Sequence, residues 1–168
     1  MKFSVSQSFL ERALSIVAKG MASNSTLPIL SGIYISATAG VIELQSTDLT
    51  ISVRHKLAAN VEEGGQTVVS GRVLQNVVKT LADAVVNFEG GERVLTITCA
   101  KSTFRLNTID AQDFPEFPSY SLERSIELPS VLLAKMVDKV YKVTSKDSSR
   151  PILSGVLLSV EQNTVRLV

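Results

Sequence analysis

The feature that most constrains the fold of this chain is an internal repeat. The segment TLPILSGIYIS at residues 26–36 returns as SRPILSGVLLS at residues 149–159. The same shift of 123 positions aligns residues 1–45 with residues 124–168 without a gap. Beyond the shared PILSG motif, the identical pairs include Leu10 with Leu133, Val17 with Val140, Lys19 with Lys142, Ser36 with Ser159 and Leu44 with Leu167. Similarity at one fixed spacing indicates a duplicated structural unit.

The repeat also predicts the domain organisation. Val168 aligns with Gln45, which lies inside a strand pattern of the first copy, so the second copy is incomplete. The run DFPEFPSYS at residues 113–121 holds two prolines, which lack a backbone N–H, and is predicted to be a linker. We predict a first domain at residues 1–119, a linker at 120–124 and a truncated second domain at 125–168. We expect the second copy to continue in a longer chain and, as given, to expose a strand edge and half of a core.

Hydrophobic periodicity predicts an α+β fold. Apolar patterning predicts strands at residues 2–5, 32–38, 41–46, 50–58, 66–70, 85–89, 94–100, 103–109 and 126–128. Helical spacing predicts a first helix that a capping box at Ser8 and Glu11 opens and Gly20 stops, a second helix at residues 71–82, and a third that starts at Pro129. The elements therefore repeat a strand–helix–strand–strand unit.

Basic side chains are concentrated on the three predicted helices. The helices carry seven basic and two acidic residues, whereas the rest of the chain carries ten basic and fourteen acidic residues. Spaced lysines and arginines on a helical face would neutralise phosphates without reading bases. The alternative is that these side chains only solvate the helices, as surface charges commonly do. The basic residues are Arg12, Lys19, Arg72, Lys79, Lys135, Lys139 and Lys142.

The sequence contains no recognisable catalytic or metal-binding set of residues. The single histidine, His55, follows the strand alternation, and the single cysteine, Cys99, is in phase with a buried strand face, so both are predicted to be packing residues. Ser46, Thr47 and Asp48 are predicted to form an Asx-type turn between strands. We expect no enzyme activity, no metal and no cofactor.

Composition excludes several classes of protein. A hydrophobic content of 45% with a formal net charge of +1 excludes disordered and collagen-like chains. No apolar run approaches the roughly 20 residues that a membrane-spanning helix needs. One cysteine permits no internal disulfide, which is typical of a reducing compartment. We therefore expect a soluble cytoplasmic protein that has no contact with a membrane.

Four features in combination resemble the bacterial DNA sliding clamps, the β subunits of DNA polymerase III. They are the MKFSV start, the TLPILSGI segment, the residues Thr47, Asp48 and Leu49, and the run TFRLNTIDAQDFPEFP. Members of this family have three similar domains, and two chains close a ring with helices lining the hole and sheets outside. The resemblance implies the DNA clamp fold, with repeated βαβββ units, helices on one side of antiparallel sheets, and a second domain that is incomplete here.

The resemblance also implies roles for individual residues. Leu153 matches one wall of a pocket that accepts short peptides of polymerases and clamp-loader proteins. Phe104 and Leu106 match the apolar part of the ring-closing dimer interface. The loop of Asn24 matches a place where family members present a basic residue to DNA. Together with the charge pattern, this predicts the following DNA-facing residues: Arg12, Lys19, Asn24, Arg72, Lys79, Lys135, Lys139, Lys142, Lys146 and Arg150.

The expected function is that of a processivity factor, a non-catalytic subunit of a DNA polymerase holoenzyme. Its ring would encircle duplex DNA without sequence preference and tether the replicative polymerase. The expected partners are double-stranded DNA, the polymerase, clamp-loader subunits, and a second chain in a homodimeric ring of the full-length protein. Two alternatives stay open: a protein-interaction scaffold that does not bind DNA, and an enzyme whose catalytic residues follow Val168.

Overall fold

The chain forms two compact units. The computed structural model describes residues 1–23, 26–117, 119, 125–147, 149–162 and 164–168. Unit 1 comprises Met1–Ser119, and unit 2 comprises Tyr120–Val168. The linker predicted at 120–124 lies outside the described residues.

Unit 1 alternates strands and helices in two similar halves. The first half contains β1 (Lys2–Ser6), α1 (Gln7–Val17), β2 (Gly32–Thr38), β3 (Val41–Thr47) and β4 (Ser52–Ala58). A short strand, β5 (Asn60–Glu63), follows. The second half contains β6 (Gly65–Ser70), α2 (Gly71–Thr80), β7 (Val85–Gly90), β8 (Val94–Cys99) and β9 (Ser102–Ile109). Each half is a βαβββ unit, as the resemblance to the sliding clamps implies, with one strand more than the strand–helix–strand–strand unit predicted from periodicity.

The strands of unit 1 form one antiparallel sheet that curves back on itself. The strand order is β4-β3-β2-β6-β9-β8-β7-β1-β5. Strands β4 and β5 stand at opposite ends of this order, yet only Ala59 separates them along the chain. One residue spans about 3.3–3.6 Å, so the two ends of the sheet must meet.

The core of unit 1 lies between this sheet and the two helices. Strand residues alternate between buried and exposed positions, as in β8, where Leu95, Ile97 and Cys99 are buried and the residues between them are half-buried. Helix α1 packs against β3 and β4, and α2 packs against β2, β6 and β9. The helices contribute Leu10, Ala13, Leu14, Val17, Leu74 and Val78 to the same apolar cluster.

Part of the proline-containing run after β9 packs on the sheet. The ring of Phe114 is almost fully buried and lies 5.3 Å from the ring of Tyr34. The guanidinium of Arg54 lies 3.8 Å from the centre of the Phe117 ring. Within the described residues, the first part of the segment predicted as a linker therefore packs against the sheet.

Unit 2 is an open arrangement of one helix and one hairpin. It contains α3 (Ser130–Val140), β10 (Leu158–Glu161) and β11 (Thr164–Leu167), and the two strands pair antiparallel. No residue of α3 is buried. Leu133 is 39% exposed, whereas its counterpart in the repeat, Leu10, is 1% exposed. The apolar side chains of unit 2 therefore lack the cover that the same positions have in unit 1.

The strand predicted at residues 126–128 does not form. In unit 1 the equivalent strand, β1, pairs with β5 on one edge and with β7 on the other. Within the described part of unit 2, β10 and β11 pair only with each other, so no strand lies beside residues 126–128. A strand needs neighbours for its backbone hydrogen bonds, so this segment stays without regular structure in unit 2.

The predicted capping box at Ser8 and Glu11 is also wrong. Helix α1 begins at Gln7, so Ser8 lies inside the first turn. The hydroxyl of Ser8 lies 3.0 Å from that of Ser6, and the Glu11 carboxylate accepts a hydrogen bond from Gln7 Nε2 at 3.0 Å. Strand β1 continues to Ser6, opposite Val85, and this pairing fixes the start of the helix earlier than the sequence motif indicates.

Candidate nucleic-acid interface

Helices α1 and α2 form one layer on the sheet. The side-chain amide of Gln7, at the start of α1, donates to the carbonyl of Val78, near the end of α2, at 2.9 Å. The amide of Gln75 donates to the carbonyl of Leu14 at 3.4 Å. The helices are therefore antiparallel neighbours. Since their apolar sides are buried in the same cluster, their polar sides face solvent.

Four basic side chains of unit 1 lie exposed on this helix layer. Arg12 is on α1, and Arg72 and Lys79 are on α2. Lys19 was predicted to be on the first helix but lies in the 3₁₀ turn Ala18–Gly20 that follows it. Within the part of the chain that the structure describes, none of the four makes an ion pair. Their charges are therefore available to an external anion.

The turn that holds Lys19 is pressed against strand β3. The hydroxyl of Ser46 donates to the carbonyl of Val17, the last residue of α1. A Cβ at Gly20 would lie 2.6 Å from the Ser46 hydroxyl, so the close approach requires glycine. These contacts fix the chain on both sides of Lys19 and end the helix before it.

Acidic residues are placed differently from these bases. Glu43 on β3 pairs with Arg54 at 3.3 Å and with Lys56 at 3.1 Å. Partial burial raises the pKa of Glu43, but hydrogen bonds from Lys56 and Gln45 and the charge of Arg54 outweigh it, and the pKa is lowered. The remaining ion pairs described in unit 1 also lie at strands: Lys2 with Glu62 at 2.7 Å, and the N-terminal amine with Glu63 at 3.0 Å.

The helix layer carries a single acidic residue, and its carboxylate has a hydrogen-bond partner. Glu11 is half-buried and accepts the Gln7 amide. Three further exposed bases of unit 1, Arg93, Lys101 and Arg105, also lack an ion pair among the described residues, but they lie on strands and turns that carry several exposed carboxylates. The excess of positive charge is therefore specific to the helix layer.

Asn76 was missed in the sequence analysis. It is exposed on α2, four residues after Arg72 and three before Lys79, which places it on the same face. Its amide has no hydrogen-bond partner among the described residues. Amide groups commonly bond phosphate oxygens, so Asn76 fits between the two bases. The i, i+4, i+7 spacing was the signal that could have identified it.

Unit 2 presents a second set of bases. Lys135 and Lys139 are exposed on α3, whereas Lys142, predicted to be on the helix, lies in the 3₁₀ turn Tyr141–Val143. Lys142 forms an exposed ion pair with Asp138 at 3.1 Å. Such surface pairs are worth about 0–1 kcal/mol, so a phosphate could displace the carboxylate.

The loop before the second PILSG motif carries the last two predicted bases. Lys146 and Arg150 are both exposed. Between them, the Asp147 carboxylate accepts hydrogen bonds from the backbone N–H of Ser149 at 2.9 Å and from its hydroxyl at 2.8 Å, and these bonds lower the pKa of Asp147. The loop thus presents two positive charges and one negative charge. Asn24, in the equivalent loop of the first copy, lies outside the described residues.

The residues predicted to contact protein partners differ in exposure. Leu153 lies in the 3₁₀ turn Pro151–Ser154 and is 52% exposed, whereas its counterpart Leu30 is 4% exposed. Phe104 on β9 is half-buried, and Leu106 is buried in the core of unit 1 itself. The side chain of Leu106 therefore offers little surface to a second chain.

One edge of β9 is open over most of its length. Within the described residues, β9 pairs with β6 only at Thr108 and Ile109, while β8 pairs with residues 102–107 of β9. The outer backbone groups of residues 102–107 thus have no strand beside them in the described part of the chain. Such an edge can accept a strand from another chain.

The residues considered for catalysis lie at packing or turn positions. His55 is half-buried on β4 opposite Leu44, and Cys99 is buried with its thiol 3.6 Å from the Ala82 carbonyl. Asp48 forms the predicted Asx turn, accepting the backbone N–H groups of Thr50 and Ile51. In the described ranges, no three His, Cys, Asp or Glu residues group as a metal site would require. None of the described helices has the length and apolar character needed to cross a bilayer.

Comparison with known proteins agrees with this architecture. Residues 1–118 match the family described as DNA polymerase III beta subunit, N-terminal domain. The beta sliding clamp of Micrococcus luteus is 36% identical over 166 residues, which cover 98% of this chain and 53% of the relative. The crystal structure of the DNA polymerase sliding clamp from Bacillus subtilis is 29% identical with a TM-score of 0.94, covering 99% of this chain and 46% of that one.

A third relative has been crystallised with a peptide. It is the Helicobacter pylori beta clamp bound to a DNA ligase peptide, which is 27% identical with a TM-score of 0.86 and covers 94% of this chain and 44% of that one. The chain spans about half the length of the curated relatives it matches. The predicted clamp fold and the predicted resemblance are both confirmed. With a family match over residues 1–118 and the clamp fold along nearly its whole length, this chain belongs to the DNA polymerase III beta subunit family.

Proposed function

We propose that this chain forms the front part of a sliding clamp, a ring that encircles duplex DNA and keeps the replicative polymerase on its template. The ring would be a non-catalytic subunit: its contribution is to hold the polymerase near the primer end at high effective concentration. The proposal rests on family membership together with the placement of charge in unit 1.

The helix layer is the observation that carries the proposal. Arg12, Lys19, Arg72 and Lys79 are exposed on one layer backed by a curved sheet, and no described acid neutralises them. Side chains of this kind contact phosphates and carry no base information. Attraction of this kind is weak, salt-sensitive and independent of sequence, which is what a sliding protein requires.

Charge reversal on the helix layer tests DNA binding directly. The variant Arg12→Glu with Lys79→Glu should weaken binding of the chain to a fluorescent duplex at low salt. Each phosphate contact contributes about −0.9 to the slope of log K against log salt. The loss of two contacts should therefore make the slope shallower by about two. Fluorescence anisotropy over a salt series measures both quantities.

The matched control reverses two exposed bases elsewhere on unit 1. Arg93→Glu with Lys101→Glu changes the net charge by the same amount but alters the turns beside β8. The slope should then stay close to that of the wild type. Equal losses in both variants would mean that only net charge matters. No loss in the helix variant would support the alternative of a scaffold that does not bind DNA.

The open edge of β9 is the proposed site of ring closure. A strand of a second chain could pair with residues 102–107, and the half-buried Phe104 ring would add apolar contact. Leu106 would act by supporting this strand from within unit 1. In a protein of full clamp length, Phe104→Asp should therefore weaken dimerisation, which sedimentation equilibrium measures. Because Phe104 also packs against the core of unit 1, urea unfolding of the variant separates a loss of stability from a loss of the interface.

Encirclement has its own test. A full-length ring that carries this sequence should stay on nicked circular DNA at salt concentrations that remove it from linear DNA, because only linear DNA has ends to slide off. Gel filtration of the loaded complex separates bound from free protein. Release from both templates at the same salt concentration would contradict encirclement and leave simple phosphate binding.

The polymerase, the clamp loader and other partners would bind through short peptides. The peptide-bound Helicobacter pylori clamp supports this mode of binding for the family, and the exposed Leu153 would form one wall of the pocket here. In a full-length protein, Leu153→Asp should reduce the affinity for a fluorescent peptide taken from a polymerase tail while leaving DNA affinity intact. Equal peptide affinity in the variant and the wild type would remove Leu153 from the site.

A further inference from the structure

Helix α1 presents one aromatic side chain to solvent. The side chain of Phe9 is 68% exposed, whereas the apolar residues Leu10 and Leu14 of the same helix are each 1% exposed. The structure describes all six phenylalanines, and the other five are buried or half-buried. Single exposed apolar side chains occur on many proteins, so the surroundings of Phe9 decide what its exposure means.

Phe9 lies among the basic residues of the helix layer. Arg12 follows it by three residues, which places the two side chains on one face of α1. The 2.9 Å hydrogen bond from Gln7 to the Val78 carbonyl brings the start of α1 beside the end of α2, where Lys79 is exposed. Phe9 and these two basic residues therefore share one end of the layer.

The ring of Phe9 is available for stacking. Within the described part of the chain, other rings form the aromatic pairs, and the cation–π contacts are those of Arg54 and Lys142. The ion pairs of the described residues likewise involve neither Arg12 nor Lys79. This end of the helix layer thus combines a ring and two cations that the described residues leave without partners.

A ring flanked by cations matches the chemistry of an unpaired nucleotide. Every base has a π face on which an aromatic side chain can stack, and the phosphates on either side of the base attract positive charge. In a duplex each base is already stacked between its neighbours, so a ring on a protein surface reaches only sugar and phosphate. The single carboxylate of the layer, Glu11, is half-buried and accepts the Gln7 amide, which leaves positive charge in excess around the ring.

We propose that Phe9, Arg12 and Lys79 form a binding site for single-stranded DNA. The Phe9 ring stacks on one unpaired base, and Arg12 and Lys79 bind the phosphates that flank this base. The inference rests on the proposed function, because it takes the helix layer as the surface that meets DNA. It adds a preference that charge cannot give: lysine and arginine attract single-stranded and duplex DNA alike, whereas the ring favours the single strand.

The ratio of the affinities for two forms of DNA tests the proposal. Fluorescence anisotropy of the chain with a labelled thymidine oligonucleotide and with a labelled duplex of the same length gives both dissociation constants. Phe9→Leu keeps an apolar side chain but removes the π face. It should lower the ratio of single-strand to duplex affinity by about 5- to 100-fold, the range of one base–aromatic stack. The salt slope should stay that of the wild type, because no phosphate contact is lost.

Val73→Ala is the matched control. Val73 is 47% exposed on α2, at the other end of the same layer, and has no π face, so its truncation should leave the affinity ratio unchanged. A wild-type ratio in Phe9→Leu, or an equal fall in the control, overturns the proposal and leaves an apolar protein surface as the occupant of the ring. If duplex binding still depends on Arg12 and Lys79, only this site is removed. A wild type that binds neither form of DNA contradicts the proposed function as well.

A tryptophan in place of Phe9 reports the stacking contact directly. The chain contains no tryptophan, so Phe9→Trp introduces a unique indole and keeps a π face. The thymidine oligonucleotide should quench its fluorescence, whereas an oligonucleotide of abasic sites, which has the phosphates without the bases, should not. The control is Asn87→Trp, at an exposed position on the face of β7 opposite its buried residues, and its fluorescence should change with neither. Equal quenching by the two oligonucleotides, or of the two variants, overturns the stacking contact.

Discussion

At the residue scale, the turn between β3 and β4 shows how a short polar motif organises the backbone. The Asp48 carboxylate accepts the N–H groups of Thr50 and Ile51 at 2.8 and 2.7 Å, and Thr47 Oγ1 accepts the N–H of Leu49 at 3.0 Å. These bonds hold Leu49 at a φ of 74°, in the left-handed region. A leucine there is strained, because its Cβ approaches the following carbonyl.

Replacing Leu49 by asparagine should relieve this strain. Asparagine tolerates left-handed backbone, and Leu49 is 66% exposed, so little apolar burial is lost. We expect the free energy of unfolding to rise by about 0.5–1 kcal/mol in urea titrations, within the roughly 1–2 kcal/mol that a left-handed residue costs. The control is Ile51→Asn, which removes a similarly exposed side chain at a residue with negative φ. A loss of stability equal to that of the control would show that the Leu49 side chain matters more than its backbone.

The charge of Asp48 should make part of the stability depend on pH. The backbone N–H groups of Ile51 and Thr50 lower the pKa of Asp48 from its ordinary value of 3.8. A lowered folded-state pKa means that the contribution is present above pH 3.8 and is lost as pH falls below it, through the folded value. Asp48→Asn keeps the acceptor oxygen but not the charge. Urea titrations at falling pH should therefore show the wild type losing its advantage over the variant below pH 3.8.

Asp83→Asn is the control for this titration. Asp83 is exposed and makes no hydrogen bond or ion pair within the described residues. This variant removes one carboxylate that lies outside the turn, so the loss specific to the hydrogen bonds of Asp48 should not be seen in it. An advantage of Asp48 that persists unchanged at the lowest pH would show that the turn does not need the charge.

At the element scale, strand positions were predictable where apolar alternation was strong. Strand β2 has the predicted bounds, and β3, β7 and β8 differ from theirs by one residue. Strand β5 was missed because Glu62 and Glu63 look like solvated turn residues; the structure shows them paired with Lys2 and with the N-terminal amine across the β1–β5 ladder. A salt-bridged strand pair cannot be recognised from one strand alone.

The candidate interface was predictable to a similar degree. Helical spacing correctly placed Arg12, Arg72 and Lys79 on the exposed helix layer. It wrongly extended α1 through Lys19 and α3 through Lys142. Helix α1 ends earlier because tertiary contacts decide its last turn: the Ser46 hydroxyl donates to the carbonyl of Val17, and Gly20 packs on β3. Contacts between residues distant in the sequence leave no local pattern.

The helix pair supplies a prediction at this scale. Gln7 is buried, and its amide bonds both the Val78 carbonyl and the Glu11 carboxylate. Gln7→Ala should lower the free energy of unfolding by about 0.5–1.5 kcal/mol, because it removes one hydrogen bond to the Val78 carbonyl, which still accepts the N–H of Leu81 at 3.3 Å. Gln75→Ala removes the equivalent bond, which is longer at 3.4 Å and only partly buried, and should cost less. Thermal or urea unfolding measures both. An equal loss of unfolding free energy in the two variants would mean that the length and burial of the two cross-helix bonds do not determine their contributions.

At the scale of the whole molecule, the repeated sequence pattern is buried in unit 1 and exposed in unit 2. Helices α1 and α3 have the same length of 11 residues and aligned apolar positions. Helix α1 buries Leu10, Leu14 and Val17, while no residue of α3 is buried. Isolated helices shorter than about 12–15 residues are marginal in water, and most helical stability in proteins comes from packing an apolar face. The two helices therefore differ in how much of their apolar face is buried by other residues.

Hydrogen exchange should reveal this difference. In dilute solution, amides of α3 should exchange almost as fast as in a free peptide, whereas amides of α1 should exchange only when unit 1 unfolds. Mass spectrometry of peptides from the two helices, measured in the same digest, gives an internal reference. Equal protection of α1 and α3 would show that α3 is stabilised without burial of its apolar face.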